Sequence, residues 1–139
     1  MFELTKQHVQ SIMDAAARGC WDPFIDSIDP EVHWMIGDPA HDPVMMTGIY
    51  NLRKWQEDVN KRVFGRLLDG LQMRPTSVDV FGQKAIVEAV GTATQKNGNP
   101  YNNRYCWVMI FSGETGKVVE IREYLNTALV KEVMETNDL

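Results

Sequence analysis

Cysteine is scarce in this sequence and long hydrophobic runs are absent, and each absence excludes a class of protein. Two cysteines are too few for the disulfide framework of a small secreted domain. The N-terminal residues MFELTKQHVQ lack the apolar core of a signal peptide, and no apolar stretch approaches the length needed to cross a bilayer. We therefore expect a cytoplasmic protein with no membrane partner.

Basic clusters and metal-binding spacings are also missing. The net charge is -5 and the basic residues are scattered, whereas nucleic-acid recognition needs clustered lysine and arginine, so we expect no nucleic-acid partner. The three histidines show no His-x-x-x-His or Glu-x-x-His spacing, and no metal site is predicted. The chain has no Gly-x-Gly-x-x-Gly or Walker motif, and we expect no cofactor.

What the sequence does contain is a series of helical patterns followed by a series of strand patterns, over a length that suits one domain. Hydrophobic periodicity predicts helices over 5–18, 22–28, 51–63 and 127–134, and strands over 31–36, 74–81, 84–94, 104–112 and 117–125. The segment 64–73 fits neither pattern. Helices first and an antiparallel meander last predict an α+β fold, in which a sheet curved around helices leaves a concave cavity.

Two of the predicted strands carry polar chemistry on faces that should otherwise be apolar. Period-two alternation puts Tyr101, Asn103, Tyr105, Trp107, Met109 and Phe111 on one face, and Val119, Ile121, Glu123 and Leu125 on one face of the next strand. Burying an unpaired carboxylate costs several kcal/mol, so a plain core would not select Glu123. A water-poor pocket with an acid–base group would select it. The alternative is a glutamate paired with Arg104 or Arg122 within the sheet.

Several motifs resemble a known family. They are Val32-His33-Trp34 followed by Gly37, then Gly48-Ile49-Tyr50, then Gly98-x-Pro100-Tyr101-x-Asn103-x-Tyr105, and finally Gly116-Lys117-Val118-Val119-Glu120-Ile121-x-Glu123-Tyr124-Leu125-x-Thr127. Their order is similar to that of the SnoaL-like polyketide cyclases, a branch of the nuclear transport factor 2-like (NTF2-like), ketosteroid isomerase-like superfamily. The resemblance implies one cone-shaped α+β domain over residues 1–139, with N-terminal helices packed in a curved, mainly antiparallel sheet.

The resemblance also implies roles for particular residues. Fungal rearrangement enzymes of this family are similar in placing a Tyr-x-x-x-Tyr pair on one strand and a Glu on the next, which Tyr101, Tyr105 and Glu123 match. Glu123 would then transfer a proton while the tyrosines orient and stabilise the substrate oxygen. Asn126 stands where many relatives have Asp. The first predicted strand carries no Asp in the place of the ketosteroid isomerase base, which argues against that enzyme's arrangement.

Five further residues are candidates for substrate binding. They are Trp107, Asn103, Trp34, His33 and Glu88. His33 and Trp34 lie on opposite faces of one strand, so only one of them can face a cavity. Glu88 becomes a second site carboxylate if its face is inward; a cross-strand ion pair is the alternative we prefer.

Two functions from different classes follow from these patterns. The first is a cofactor-independent isomerase or cyclase that rearranges an apolar polycyclic natural product by acid–base catalysis. The second is a non-catalytic module that binds a small molecule or a protein. A homodimer is expected in either case, because the outer sheet face carries apolar residues. These outer residues are Arg104, Cys106, Val108 and Ile110 on one strand, with Val118 and Tyr124 on the next.

Overall fold

The computed structural model describes residues 1–139 and shows helices packed against one face of a single sheet. The strands are β1 (Ile28–Ile36), β2 (Gly48–Tyr50), β3 (Leu67–Phe81), β4 (Lys84–Gln95), β5 (Pro100–Phe111) and β6 (Val118–Leu125). The helices are α1 (Lys6–Ala17), α2 (Asp22–Asp26), α3 (Leu52–Lys54) and α4 (Thr127–Thr136). A π-helix (Trp55–Val63) and a 3-10 turn (Phe64–Arg66) connect α3 to β3.

The sheet confirms the predicted α+β class. Its strand order is β2-β1-β6-β5-β4-β3, and every neighbouring pair is antiparallel except β1 and β6. Register shifts interrupt the pairings of β1 with β6, β3 with β4, and β5 with β6. Such shifts bend and twist strands, which is how a sheet curves around helices. No helix has both the length and the apolar composition required to traverse a bilayer.

The first helix follows its predicted boundaries. The Thr5 hydroxyl accepts a hydrogen bond from the backbone N–H of His8, which caps the first turn. Val9, Met13 and Ala16 then repeat at helical spacing and are buried against the sheet. The second helix ends at Asp26, earlier than predicted, because β1 already begins at Ile28.

The third helix differs from the prediction in its hydrogen bonding. The Asn51 side chain caps α3 through the backbone N–H of Lys54, as a helix start requires. From Trp55 onward the backbone adopts the wider π form, which is rare and often found at functional sites. Trp55, Val59 and Val63 point into the interior and are buried.

The sheet is larger than the periodicity indicates. The pattern does not predict β2, and β3 begins at Leu67, within the segment that fits no pattern. The turn-like residues Asp69 and Gly70 have φ values of 57° and 79°, so they break the alternation on which a strand prediction depends.

The faces of β6 also depart from strict alternation. A register shift lies between the Ile110 and Phe111 pairings with β6, and it puts Val118 inside the protein and Val119 outside. The predictions that Val119 faces the interior and that Val118 lies on the outer surface are therefore wrong. Alternation resumes after the shift, so Ile121 and Glu123 face inward as predicted.

Candidate functional site

The concave face of the sheet and the helices enclose a narrow cavity of about 30 Å³. This volume has room for one or two water molecules. Sixteen of its 17 lining residues are hydrophobic, and the exception is Glu123. Tyr101, Tyr105 and Trp107 from β5 meet Glu123 from β6 in this cavity, because Trp107 and Glu123 lie opposite each other in the antiparallel pairing.

Glu123 is buried, with 6% of its surface exposed. The indole N–H of Trp34 donates a hydrogen bond of 3.0 Å to its Oε1 atom. No cation pairs with it: Arg122 pairs with Glu120 instead, and Arg104 is exposed on the other face. The predicted alternative, an ion pair between Glu123 and an arginine of the sheet, is therefore wrong.

Burial without a cation changes the acidity of Glu123. Desolvation raises the pKa of its carboxyl from the ordinary 4.5 to about 7, and the indole N–H groups of Trp107 and Trp34 lower it in part. The Trp107 Nε1 atom lies near this carboxyl, although it does not meet the geometry of a normal hydrogen bond. A carboxyl with a pKa near 7 can both take up and release a proton at neutral pH.

The two tyrosines form a hydrogen-bonded pair beside this carboxyl. The hydroxyl oxygens of Tyr101 and Tyr105 lie 2.8 Å apart. Burial raises the pKa of the Tyr101 phenol and holds that of Tyr105 well above its ordinary value. Both phenols therefore keep their protons. Gly91 on β4 makes room for the Tyr105 ring, because a Cβ atom at this position would lie 2.9 Å from it.

The structure does not bring every predicted binding residue to the cavity. Trp34 lines it, whereas His33 is exposed on the opposite face of β1 and does not reach the cavity. Glu88 is exposed as well, since Val87 and Ala89 occupy the inward positions of β4. Its predicted cavity position is wrong, and the preferred ion pair is not formed either.

Asn103 is fully buried but stands behind the tyrosines and does not line the cavity. Its Nδ2 atom donates to the Tyr101 hydroxyl at 3.0 Å and to the carbonyl of Asn126 at 3.1 Å. Its Oδ1 atom accepts the backbone N–H groups of Arg104 and Asn126. Asn103 therefore positions Tyr101 and joins β5 to the segment after β6, instead of contacting a ligand.

Sequence reasoning missed much of the wall opposite the sheet. Trp55 of the π-helix stacks on Trp34 with ring centroids 4.7 Å apart, and Met45 and Met46 close the cavity from the loop before β2. Met46 is buried in the left-handed region, with φ at 61°. The helical stripe that contains Trp55 is visible in the sequence as a core signal. Nothing in the sequence marks the Met46 backbone.

The overall architecture is shared with known proteins, although the sequence is not. No protein-family model matches the sequence, and no curated protein matches it. Solved structures do match. An NTF2-like protein of unknown function from Burkholderia pseudomallei K96243 has a TM-score of 0.73 at 16% identity, covering 94% of this chain and 98% of its own.

Of two other matching structures, one is described by a protein class and one by a co-crystallised compound. A protein described as a SnoaL-like polyketide cyclase, from Jannaschia sp. CCS1, has a TM-score of 0.69 at 15% identity, covering 95% of this chain and 92% of its own. TerC, co-crystallised with polyporic acid, has a TM-score of 0.67 at 14% identity, covering 94% of this chain and 97% of its own. Identities this low show the fold alone, so the expected cone-shaped NTF2-like fold is confirmed.

Proposed function

We propose that this protein is a cofactor-independent acid–base enzyme, an isomerase or cyclase, that acts on an apolar polycyclic natural product. One observation carries the proposal: a buried carboxyl without a cationic partner is the sole non-hydrophobic residue lining an otherwise hydrophobic cavity. A core gains nothing from an unpaired carboxyl, whereas proton transfer at neutral pH needs a group with a pKa near 7.

In this mechanism Glu123 removes a proton from a carbon or hydroxyl of the ligand and returns a proton to a different atom. The net change is a rearrangement, with no atom gained or lost. The electron pair moves onto a ligand oxygen, and the Tyr105 hydroxyl stabilises the negative charge that develops there. The apolar walls exclude water, which strengthens this hydrogen bond.

The similar structures support the proposal without extending it to a substrate. One neighbour is described as a polyketide cyclase, and another was co-crystallised with polyporic acid. A cavity of about 30 Å³ is too small for a polycyclic ligand, so binding requires the wall to move. The wall opposite the sheet is formed by the π-helix and by the loop that carries Met45, and these segments would move outward.

The small cavity also favours the second candidate, a binding module without chemistry. An interior that is nearly closed packs like a core, with Trp34 and Trp55 stacked across it.

We propose a cytoplasmic homodimer under either function, since Val108 and Ile110 are half-buried and Tyr124 is 46% exposed on the outer face. Sedimentation at micromolar concentration should show a dimer, and a monomer there would contradict this proposal.

Turnover separates the two functions. Polycyclic ketones, epoxides and polyphenols would be screened for thermal stabilisation, and the compounds that bind would be followed for conversion. Glu123→Gln should keep the fold and the ligand but lower turnover about a hundredfold or more, the effect of a positioned proton-transfer group. Glu88→Gln is the matched control, because it removes an exposed carboxyl and should leave the rate unchanged. Wild-type turnover in Glu123→Gln would contradict the proposed mechanism.

A further inference from the structure

The buried Asn103 amide has only one possible orientation. Its Oδ1 atom lies 2.8 Å from the backbone nitrogen of Arg104 and 3.1 Å from that of Asn126. Backbone N–H groups can only donate, so this atom must be the amide oxygen. The other amide atom, Nδ2, is then a donor, and the Tyr101 hydroxyl at 3.0 Å must accept from it.

The orientation of the Asn103 amide determines which of the two tyrosine hydroxyls donates to the other. Either hydroxyl of Tyr101 and Tyr105 could donate across the 2.8 Å contact. If Tyr105 donated, the Tyr101 hydrogen would have no acceptor at a residue that is 0% exposed. If Tyr101 donates, every group of Asn103 and Tyr101 is satisfied, and the Tyr105 hydrogen is free for a ligand. The chain of donors therefore runs from Asn103 to Tyr101 to Tyr105 to the cavity.

A second available donor comes from Trp107, whose indole N–H lies near the Glu123 carboxyl without a hydrogen bond of normal geometry. Its indole Nε1 is the only buried side-chain nitrogen or oxygen atom in the protein without a hydrogen-bond partner. Trp107 is 2% exposed and lines the cavity two residues after Tyr105 on the same strand face. Leaving a buried donor unpaired costs on the order of 1–3 kcal/mol, and a site that holds a ligand can recover this cost on binding.

We propose that the cavity selects ligands with a hydrogen-bond acceptor oxygen, such as a ketone, quinone or epoxide oxygen on an apolar ring system, which Trp107 and Tyr105 hold by donation. Tyr105 and Trp107 are both donors, so a ligand that only donates would leave them unpaired and could pair only with the Glu123 carboxyl. The inference rests on the proposed function in placing the ligand inside this cavity. It concerns binding and requires no turnover.

Three bicyclic probes of similar size test the inference by isothermal titration calorimetry. Indane offers no polar group, 1-indanone adds an acceptor oxygen, and indole adds only an N–H donor. We expect 1-indanone to bind roughly tenfold tighter than indane, and also tighter than indole, whose N–H group can pair with Glu123 but leaves Tyr105 and Trp107 unpaired. Trp107→Phe and Tyr105→Phe should each reduce the advantage of 1-indanone over indane by roughly fivefold.

Matched variants separate hydrogen bonding from packing. Trp55→Phe removes an indole from the same cavity and should change the three affinities by a common factor. Tyr50→Phe removes a phenol that donates to the Met46 carbonyl, outside the cavity, and should leave the advantage intact. Equal binding of all three probes to the wild-type protein would overturn this inference and leave the proposed function standing. If none of them binds, the cavity is not a ligand site and both proposals fail.

Discussion

Two groups of buried polar side chains lie in this protein, and they differ in how completely they are paired. At the C-terminal end, Gln95 is fully buried and uses its whole amide. It donates to the carbonyl of Pro100 and to Glu132, and it accepts from Asn137 at 2.8 Å. Glu123, in contrast, receives one indole hydrogen bond and has no cation beside it.

Asn137 extends the first group into a set of hydrogen-bonded residues that we call the clamp: Gln95, Glu132, Asn137, Asn97 and Arg66. Its amide nitrogen donates to the Val133 carbonyl as well as to Gln95, and its Oδ1 atom accepts the backbone N–H of Asn97. Its own carbonyl accepts from Arg66. The clamp holds α4 against the turn between β4 and β5 with neutral amides at its centre. A buried polar group used for structure is satisfied within the chain, whereas the cavity keeps a carboxyl and free donors for something outside it.

The largest effect that tests this contrast is the pH dependence of stability. The Glu123 pKa is about 7 in the folded protein and near 4.5 in the unfolded chain, so the folded state binds the proton more tightly. Wild-type stability should therefore fall as pH rises from about 4.5 to about 7, by roughly 3 kcal/mol, and should stay lower above that range.

Replacing the carboxyl by an amide isolates this contribution. Glu123→Gln keeps the acceptor for Trp34 and cannot ionise, so its unfolding free energy should exceed that of the wild type above pH 7 and approach it below pH 4.5. Denaturant unfolding of both proteins at several pH values measures the difference. A constant difference across that range would mean that Glu123 has an ordinary pKa, and the contrast between the two groups would disappear.

The clamp should contribute to the stability of the fold and not to ligand binding. Gln95→Leu removes an amide and leaves the Pro100 carbonyl, the Glu132 carboxylate and the Asn137 amide with fewer partners, so unfolding should cost roughly 2 kcal/mol less. Binding of 1-indanone should be unchanged, because Gln95 does not line the cavity. Gln7→Leu, at an exposed position of α1, is the control, with an expected change of about 0.5 kcal/mol or less. A loss of ligand affinity in Gln95→Leu would show that the clamp and the cavity are energetically coupled, which would contradict the contrast between them.

The parts of the fold that follow local periodicity are predictable from the sequence. The inward faces of β4 and β5 obey alternation, and that rule by itself puts Tyr101, Tyr105 and Trp107 on one face. Alternation fails where the backbone adds or turns a residue, as at Val118. It also gives no sign of the three-residue β2.

The site is predictable only on the sheet side. Glu123 stands out because a carboxylate on an apolar strand face has an energetic cost that local sequence reveals. The choice between His33 and Trp34 depends on which face of β1 the helices cover, which is a tertiary property. The same holds for the stacking of Trp55 on Trp34. An α-helix and a π-helix differ by one residue in hydrogen-bond spacing, and no side-chain pattern distinguishes them here.

The smallest of these effects concerns the last hydroxyl of the directed chain of donors. Tyr105→Phe removes the donor that faces the cavity, and it leaves Asn103 to hold Tyr101 in place. On a confirmed substrate, kcat should fall about tenfold while KM changes less, because a hydrogen bond to a developing oxyanion strengthens in the transition state. Tyr50→Phe removes a phenol bonded to a backbone carbonyl and should leave kcat unchanged. If Tyr105→Phe raises KM alone, the phenol holds the ligand equally well before and during reaction. The cavity would then resemble the clamp, with its polar groups serving to position and not to react.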